Sequence, residues 1–353
     1  MARNTGILSS TYGAGLFSST DNASNWSETS NGLTSYLAYS LAESDNNIFA
    51  GTYNGIFLSS DNGANWIDIS NNIANRQVFS IAVSDPYIYA GTGGGIYVST
   101  DNGASWTTHN YFPFGGENTL ANDGNRIFAG TGIGVYVSTD HASSWTAINN
   151  GLTNTDVRSI AISGNKIFAG TQRGVFLTTN DGANWTRINT GLTNLSVRAL
   201  CVVDSTIFAG IFGGGVFMSI NYGINWVEAN NGLAYKYITS LATYNNDLLA
   251  GTYSSGVWKC PLSEMVDIPE AEIYLDCINL SPNPATSEIT VDLSGSPDQI
   301  SKIVILDIKG TEVKHLQKSG NSFQIQISDL PQGIYILRLF KGNFFQVKRF
   351  IKI

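Results

Sequence analysis

A tryptophan recurs at almost constant spacing through the first two-thirds of the chain. Trp26, Trp66, Trp106, Trp145, Trp185 and Trp226 follow one another at intervals of 40, 40, 39, 40 and 41 residues. A period of this length indicates an array of similar supersecondary units, each burying its apolar side against its neighbours. The repeat therefore restricts the possible folds more than any other feature of the sequence.

Each repeat contains four short apolar runs separated by turn residues. The fifth copy consists of VRSIAIS, KIFAGT, GVFLTT and WTRIN, with Gly, Asn and Asp between the runs. Alternation within such runs predicts four antiparallel strands, and no segment shows the helical period that a solenoid of helix pairs would need. Four strands in about 40 residues is typical of a β-propeller blade.

The two ends of the array are incomplete. The chain starts with ILSSTYGAGLF, which aligns with the second and third strands, and the copy at 238–262 has no Trp-ended turn. We expect seven blades, the first without its first strand and the seventh without its fourth; six blades is the alternative. The sequence thus predicts an all-β protein: a propeller at 1–262, a linker at 263–277 and a small Ig-like β-sandwich at 278–353.

The turn that ends at each tryptophan follows the pattern Ser/Thr-x-Asp/Asn-x-Gly-x-x-Trp, and it resembles the Asp-box, or BNR repeat, of sialidase-like propellers. Its acidic or amide position is occupied by Asp21, Asp61, Asp101, Asp140, Asn180 and Asn221. The Asp is expected to accept hydrogen bonds from its own turn, the Gly to adopt positive φ, and the Trp to close the hairpin by burying its ring. A residue needed in six copies is expected to hold the fold rather than to catalyse. Ala23 and Ala142 replace the Gly in copies one and four, which predicts slightly strained or altered turns.

Antiparallel order places the loops between blades and the turns between second and third strands on one face, opposite the Asp-boxes. In the propellers that the chain resembles, the ligand binds on this face. Side chains on this face differ from copy to copy. In a repeat protein, positions that vary on an otherwise constant backbone are expected to determine which ligand is bound. The candidates are Tyr39, Phe79, Asn118, Arg158 and Arg198 at the starts of first strands, with Arg76, Arg173, Tyr53 and Tyr253 nearby.

This set of aromatic and arginine side chains suits sugar rings, peptide segments or carboxylated glycans. The loop at 109–118 adds Tyr111, Phe112 and Phe114. The competing interpretation is that these aromatics pack neighbouring blades together. We expect a non-catalytic binding or adhesion propeller that recognises a glycan or a protein; a purely structural surface component is a further alternative.

An extracellular glycoside hydrolase or lyase, sialidase-like or xyloglucanase-like, is the catalytic alternative. Glycosidases need two carboxyl groups across the scissile bond, and Glu117 with Asp156 is the only pair on the expected face. The Arg-Ile-Pro signature of sialidases is absent from the sequence. Catalysis is therefore not the leading hypothesis.

The composition of the chain restricts the classes of partner and cofactor that it is expected to bind. The net charge of −8 and the lack of a basic stripe argue against nucleic acid. The three His are far apart, and no phosphate-binding loop is present, so we expect no metal and no cofactor. Cys201 is interpreted as a buried thiol in an apolar strand, whereas Cys260 and Cys277 could pair or stay reduced.

The remainder of the chain resembles the type A C-terminal sorting domain of the type IX secretion system of Bacteroidetes. The matching pieces are Pro282-Asn283-Pro284, ILDIKG at 305–310, LPQGIYILRL at 330–339, and the basic ending from Lys348 to Lys352. This resemblance implies export through the outer membrane, with the type IX machinery and its sortase as partners, followed by release or attachment to the cell surface. An Ig-like accessory module that binds something is the alternative interpretation.

The resemblance also bears on targeting. The family enters the periplasm by a Sec signal, and MARNTGILSS has no hydrophobic core of one, so we expect that the native leader has been removed. No run of 18 apolar residues exists, which argues against a transmembrane helix. We expect a monomer that is secreted or attached to the outer-membrane surface.

Overall fold

The structure is a computed structural model that describes residues 1–3, 6–108, 119–203, 205–265, 279–292, 302–308, 310–316, 322–341 and 344–353. The chain divides into two compact units, unit 1 at Met1–Leu262 and unit 2 at Ser263–Ile353. The described residues are β-strands and turns, with one short 3-10 helix at Leu262–Glu264. The predicted all-β class is confirmed.

The described residues of unit 1 form seven antiparallel sheets, numbered here in chain order, and the first three have four strands each. Sheet 1 consists of β1 (Ala2–Arg3), β2 (Gly6–Ser10), β3 (Leu16–Ser19) and β4 (Ser27–Glu28). Sheet 2 consists of β5 (Ala38–Ser44), β6 (Asn47–Thr52), β7 (Gly55–Ser59) and β8 (Ile67–Asp68). Sheet 3 consists of β9 (Val78–Ser84), β10 (Tyr87–Thr92), β11 (Gly95–Ser99) and β12 (Thr107–Thr108).

The next three sheets repeat the pattern, and the seventh has three strands. Sheet 4 consists of β13 (Thr119–Asn122), β14 (Ile127–Thr131), β15 (Gly134–Ser138) and β16 (Thr146–Ala147). Sheet 5 consists of β17 (Val157–Ser163), β18 (Lys166–Thr171), β19 (Gly174–Thr178) and β20 (Thr186–Arg187). Sheet 6 consists of β21 (Val197–Val203), β22 (Thr206–Ile211), β23 (Gly215–Ser219) and β24 (Val227–Glu228). Sheet 7 consists of β25 (Ile238–Tyr244), β26 (Asp247–Thr252) and β27 (Val257–Pro261).

One sequence expectation about these sheets is wrong. Sheet 1 does have a first strand, because Ala2 and Arg3 pair with Ile7 and Gly6. Two residues of alternating pattern are too few to be recognised as a strand from sequence.

Consecutive sheets pack through apolar side chains. Separate buried clusters join sheets 1 and 2, 2 and 3, 3 and 4, 4 and 5, and 5 and 6. In sheets 2 to 6 the second strand is buried on both sides, as in KIFAGT, whose last five residues are buried. Strands buried on both faces are near-continuous apolar runs, which explains this segment of the repeat.

Polar contacts join the last sheet to the first. Asn22 of sheet 1 donates its Nδ2–H to Asp247 Oδ2 of sheet 7 at 2.9 Å, and Lys259 Nζ donates to the Asn22 carbonyl at 2.9 Å. Sheets that pack in sequence order and close upon the first form a β-propeller, the fold that the repeat predicts.

Unit 2 contains two antiparallel sheets. One has the order β28 (Asn279–Ser281), β29 (Glu288–Asp292), β32 (Ser322–Gln326), and the other β31 (Glu312–Leu316), β30 (Lys302–Leu306), β33 (Gly333–Lys341), β34 (Phe344–Lys352). A single buried cluster takes side chains from both, including Ile289, Val291, Ile305 and Leu337. Two sheets that share one apolar core form a sandwich.

Candidate ligand-binding face

The six turns that end at a repeated tryptophan, called the Trp turns below, share one hydrogen-bond pattern. In sheet 3, Ser99 Oγ donates to Asp101 Oδ1 at 2.7 Å and accepts the Gly103 N–H at 2.8 Å, while the Ser105 N–H donates to Asp101 Oδ1 at 2.9 Å. Asn180 and Asn221 accept the equivalent backbone N–H through Oδ1 at 3.0 Å. The acidic or amide side chain thus binds the backbone of its own turn.

These contacts shift the acidity of the turn carboxyls. Hydrogen bonds from Asn25 lower the pKa of Asp21 to about 2, and those from Ser105 and Ser144 do the same for Asp101 and Asp140. The pKa of Asp61 is also lowered, mainly by the side chain of Asn65. Hydrogen bonds to the ionised form favour it, so these groups stay charged in mild acid.

The two alanine-containing turns keep this pattern. The N–H groups of Ala23 and Ala142 donate to Ser19 and Ser138 at 2.9 Å, although both alanines have positive φ, 65° and 67°. Such a conformation is strained for a residue with a Cβ, whereas Gly103 adopts 85° without that cost. Of the two expected outcomes, strain rather than a different shape is observed.

The two faces of unit 1 are distinguished by their contacts. Arg126, in the loop between β13 and β14, donates to Asp181 of the sheet 5 Trp turn at 2.7 Å. On the other side, the Tyr53, Phe212 and Tyr253 N–H groups donate to the carbonyls of Leu37, Ser196 and Tyr237 at 2.9 Å. The turns between second and third strands therefore lie against the loops between sheets, opposite the Trp turns, as expected.

Five tyrosines are the exposed large aromatic side chains among the described residues of unit 1, and all lie in these loops and turns. They are Tyr12 (72% exposed), Tyr36 (50%), Tyr53 (49%), Tyr237 (42%) and Tyr253 (59%). We call the surface that they mark the aromatic face, and the opposite one, which carries Asp21, Asp61, Asp101 and Asp140, the turn face. Among the described residues of unit 1, the exposed aromatic rings are thus confined to one face.

The predicted positions at the starts of first strands share a backbone feature. In sheets 2, 3, 5, 6 and 7 the register shifts at this point, so that one residue opposes no partner in the second strand. The unpaired residues are Tyr39, Phe79, Arg158, Arg198 and Thr239. A bulge redirects a side chain that regular pairing would fix, and bulges are common beside binding sites.

Aromatic side chains from sheets 1 to 3 contact one another on the aromatic face. The ring of Tyr39 lies 6.2 Å from that of Tyr12 and 5.3 Å from that of Phe79. Tyr39 and Phe79 are half-buried, so part of their surface packs neighbouring sheets together, as the competing interpretation expects. Tyr12 remains available to a ligand.

An open depression lies beside these rings. It has a volume of about 560 Å³ and is lined by Tyr53, Asn54, Ala74, Asn75, Arg76, Gln77, Gly94 and Tyr97. Two of the predicted residues, Tyr53 and Arg76, therefore share one concave surface. Arg76 is held there by Asp68, whose Oδ2 lies 3.0 Å from its Nη2.

A second aromatic group lies on the same face at sheets 6 and 7. The Phe212 ring is 4.9 Å from Tyr237 and 5.9 Å from Tyr253, and Tyr235 lies 5.2 Å from Tyr237. The guanidinium of Arg198 lies over the Phe212 ring, 5.2 Å from its centre. Arg198 and Tyr253, both predicted from sequence, thus belong to one cluster.

The two other predicted arginines of this region differ in their surroundings. Arg158 Nε and Nη2 bind Asp156 Oδ1 and Oδ2 at 2.6 and 3.0 Å, a bidentate ion pair. Arg173 is exposed on the turn between β18 and β19 and has no ion pair among the described residues. Because both oxygens of Asp156 bind Arg158, this carboxylate is committed to a structural contact.

Some predicted residues lie outside the described part of the chain. Glu117 and Asn118, with the aromatic loop at 109–118, belong to this group, as does Cys277. The catalytic pair Glu117–Asp156 and the pairing of Cys260 with Cys277 therefore stay predictions. Burial raises the pKa of the Cys201 thiol to about 11, in keeping with an unreactive cysteine.

Tyr36, Tyr235 and Tyr237 are the residues that the sequence interpretation overlooked. All three lie in loops that lead from one sheet to the next, at SYL before β5 and AYKY before β25. Aligning these loops, rather than the strand starts alone, shows aromatics in the loops before β5 and β25 as well as in the loop at 109–118. That signal was present in the sequence.

The described residues contain no group of three or more His, Cys, Asp or Glu side chains that could hold a metal ion. None of the helical structure in these residues has the length and hydrophobicity to cross a bilayer.

Two family models match parts of the chain. Residues 279–353 match the secretion system C-terminal sorting domain, and residues 114–248 match the DUF6242 beta propeller domain. The predicted sorting domain and the predicted propeller are thereby confirmed. No curated protein matches the chain.

Solved structures share the fold at low identity. PorZ, a surface component of the type-IX secretion system of Porphyromonas gingivalis, has a TM-score of 0.56 at 14% identity, over 99% of this chain and 57% of PorZ. The extracellular domain of BT4673 from B. thetaiotaomicron gives 0.57 at 12% identity, with coverage of 99% and 51%. The GH74 xyloglucanase of Xanthomonas campestris gives 0.57 at 13%, with coverage of 96% and 56%. The chain spans little more than half of each of these proteins, and likeness at this identity concerns the fold alone.

Proposed function

We propose that this protein is an exported binding propeller that recognises a glycan or a protein on its aromatic face without turning it over. The observation that carries the proposal is the position of the five exposed tyrosines, all on one face. Exposing apolar rings to water is unfavourable, so a cluster of them on a soluble protein marks a surface that a partner covers. The half-buried Tyr39 and Phe79, with Arg76, Arg158, Arg173 and Arg198, add candidate contacts on the same face.

The Trp turns have a different role in this proposal. We infer that they are Asp-boxes, whose carboxylates and amides bind their own backbone and leave recognition to the opposite face. Their hydrogen bonds support this inference, since the same atoms make the same contacts in sheets 1 to 6. The proposed division of labour therefore places architecture on the turn face and recognition on the aromatic face.

Export is assigned to unit 2. We propose that the type IX machinery carries the protein across the outer membrane through the sorting domain, and that its sortase then releases or attaches it at the cell surface. The match at 279–353 supports this, and PorZ, itself a bacterial surface component of that system, shares the propeller fold. Secretion of the full chain behind a Sec signal, in a competent strain and in a type IX mutant, tests it. Equal export from both strains would contradict the proposal.

The ion pair between Asp156 and Arg158 favours binding without turnover over hydrolysis. A general acid or base must be free to exchange a proton with the substrate, but both oxygens of Asp156 bind Arg158. We expect no release of reducing sugar from a panel of bacterial and plant polysaccharides. A measurable activity that is lost in the Glu117→Gln/Asp156→Asn double variant would overturn the non-catalytic assignment.

The binding face is tested with two double variants, each of which removes two exposed hydrophobic side chains. A Tyr12→Ala/Tyr53→Ala double variant removes two exposed rings from the aromatic face, and an Ile67→Ala/Ile224→Ala double variant removes two exposed apolar side chains from elsewhere. A glycan array and a screen of cell-surface proteins provide the partners. Binding that weakens about tenfold or more in the first variant only is the expected result. Equal binding by both variants would contradict the proposed face.

A further inference from the structure

Arg158 and Arg198 occupy the same position in consecutive sheets but have different neighbours. Each is the unpaired residue at the bulge that opens its first strand, in β17 and β21 respectively. Two residues earlier, sheet 5 has Asp156 and sheet 6 has Ser196. Because the backbone geometry is shared, this one substitution decides whether the arginine has an internal counterion.

The consequence is visible in the contacts of the two guanidinium groups. Arg158 makes its bidentate ion pair with Asp156, whereas Arg198 has no ion pair among the described residues. The Nε atom of Arg198 is inaccessible to solvent and has no hydrogen-bond partner in that part of the chain. The positive charge of this guanidinium is therefore not compensated by an acceptor within the described residues, and its terminal nitrogens are the atoms that can bind an external one.

The surroundings of Arg198 define what kind of acceptor fits. Its guanidinium lies over Phe212, and the exposed rings of Tyr237 and Tyr253 lie around Phe212. A second cation is close in the chain fold: Gln172, the neighbour of Arg173, accepts the Ser196 hydroxyl at 3.2 Å. Two arginines without carboxylate partners, beside flat rings that have polar tips, match a ligand that combines an anion with a flat, partly apolar ring.

We propose that the Arg198–Phe212–Tyr237–Tyr253 cluster binds the carboxylate of a sugar acid within an acidic polysaccharide. This inference rests on the proposed function and specifies its ligand. The terminal nitrogens of the Arg198 guanidinium bind the carboxylate, while the Nε–H stays buried beneath them. Tyr237 and Tyr253 pack against the apolar side of the sugar ring, and Arg173 adds attraction for the next acidic unit.

The test compares acidic oligosaccharides with neutral forms of the same chain. Oligogalacturonate, oligomannuronate and oligoglucuronate are titrated calorimetrically into the full-length protein at about 0.15 M ionic strength, each beside its carboxyl-reduced counterpart. At least one acidic oligosaccharide is expected to bind about tenfold or more tightly than its neutral form, since a bond to a charged group is roughly twice as strong as a neutral one. A glutamate-rich peptide of equal charge is the third class of probe.

Variants at position 196 change the charge beside Arg198 and keep the arginine itself. Ser196→Asp recreates in sheet 6 the Asp156–Arg158 pair of sheet 5, so it should neutralise Arg198 and reduce binding of the acidic oligosaccharide about tenfold or more. Ser196→Ala loses the same hydrogen bond to Gln172 without adding charge, and should bind like the wild type. Arg198→Ala should lose binding, whereas Arg187→Ala, which removes an exposed arginine from β20, should keep it. Unchanged melting temperatures verify that each variant is folded.

The outcomes separate this inference from the proposed function. If no acidic oligosaccharide is preferred, or if Ser196→Asp binds like Ser196→Ala, the sugar-acid site is wrong. Binding of neutral glycans that is still lost in the Tyr12→Ala/Tyr53→Ala variant would then leave the proposed function intact. Tighter binding of the glutamate-rich peptide than of any oligosaccharide would also overturn the assignment, because the partner would then be a protein.

Discussion

Trp106 donates its indole Nε1–H to the carbonyl oxygen of Ile69, which lies 2.8 Å away in the segment that follows sheet 2. Trp66 and Trp226 make the same bond to Thr29 and Ile188, at 2.7 Å. In these sheets the repeated tryptophan therefore does more than close its own hairpin, since it also ties its sheet to the one before it. A period of about 40 residues follows naturally, because each indole must find the equivalent carbonyl one repeat earlier.

Replacing this indole should weaken the array. Trp106→Phe removes the Nε1 donor, leaves the Ile69 carbonyl unsatisfied and shrinks a buried ring, so we expect a loss of about 2–4 kcal/mol in unfolding free energy. Chemical denaturation measures it.

Trp26→Phe is the matched control for that variant. The indole of Trp26 is half-buried, and its Nε1 has no hydrogen-bond partner within the described residues, which include no fourth strand of sheet 7, the sheet before it in the ring. Less than half the effect is expected there. Equal losses in the two variants would contradict the expected contribution of the bond between sheets.

Local patterns in the sequence predicted the strands and the two faces, since alternation and turn residues are read within a few positions. The partner of each tryptophan indole was not predicted, because the Ile69 carbonyl lies 37 residues before Trp106 and every residue type has a carbonyl. Contacts of this kind depend on how one sheet is placed upon another, which no short pattern records.

The candidate site was predicted in part for the same reason. Aligning the repeats placed Tyr39, Arg158 and Arg198 at one position, but it did not show that the position is a bulge. The alignment also did not show that Asp156 neutralises Arg158. Two residues that are two positions apart on a regular strand lie on the same side of the sheet, but they do not have to form an ion pair. The difference between Arg158 and Arg198 is therefore a property of the folded loops.

The carboxylates of the Trp turns should make the propeller sensitive to acid. Their pKa values are lowered, to about 2 for Asp21, Asp101 and Asp140, so their hydrogen bonds stabilise the fold at neutral pH and are lost as the pH falls from about 4 towards 2. The natural Asn180 and Asn221 make the same backbone bond without titrating. We therefore expect a variant with Asn at positions 21, 61, 101 and 140 to show a flatter dependence of stability on pH between 4 and 2. Denaturant melts at several pH values measure this slope; identical slopes for variant and wild type would be the contrary result.

Gly103, in the Trp turn of sheet 3, should be required for space as well as for conformation. A Cβ on Gly103 would lie 2.3 Å from Ile69 Cδ1, and the residue has φ of 85°. Gly124, with φ of 92°, has nothing within 4 Å of the same position. Gly103→Ala should therefore cost about 1–3 kcal/mol more than Gly124→Ala, since both carry the conformational strain and only one carries the clash. Thermal unfolding of the two variants gives the difference, and a smaller loss at Gly103 would show that the neighbouring isoleucine moves freely.

The asparagine of the Pro282-Asn283-Pro284 segment should stabilise the basic end of the sorting domain. Asn283 Oδ1 accepts the Ile351 N–H at 2.9 Å, and its Nδ2 donates to the Arg349 carbonyl at 3.2 Å. Both bonds hold β34, the strand that carries Lys348, Arg349 and Lys352. Asn283→Ala removes them and should lower the stability of unit 2 by about 1–2 kcal/mol. Faster hydrogen exchange of the Ile351 amide, together with reduced secretion of the full chain, is the expected readout. Gln324→Ala, which removes an exposed amide from β32, should leave the exchange of Ile351 and the secretion unchanged. If the Asn283→Ala variant is exported normally and shows wild-type exchange at Ile351, the last strand does not need the two hydrogen bonds of Asn283.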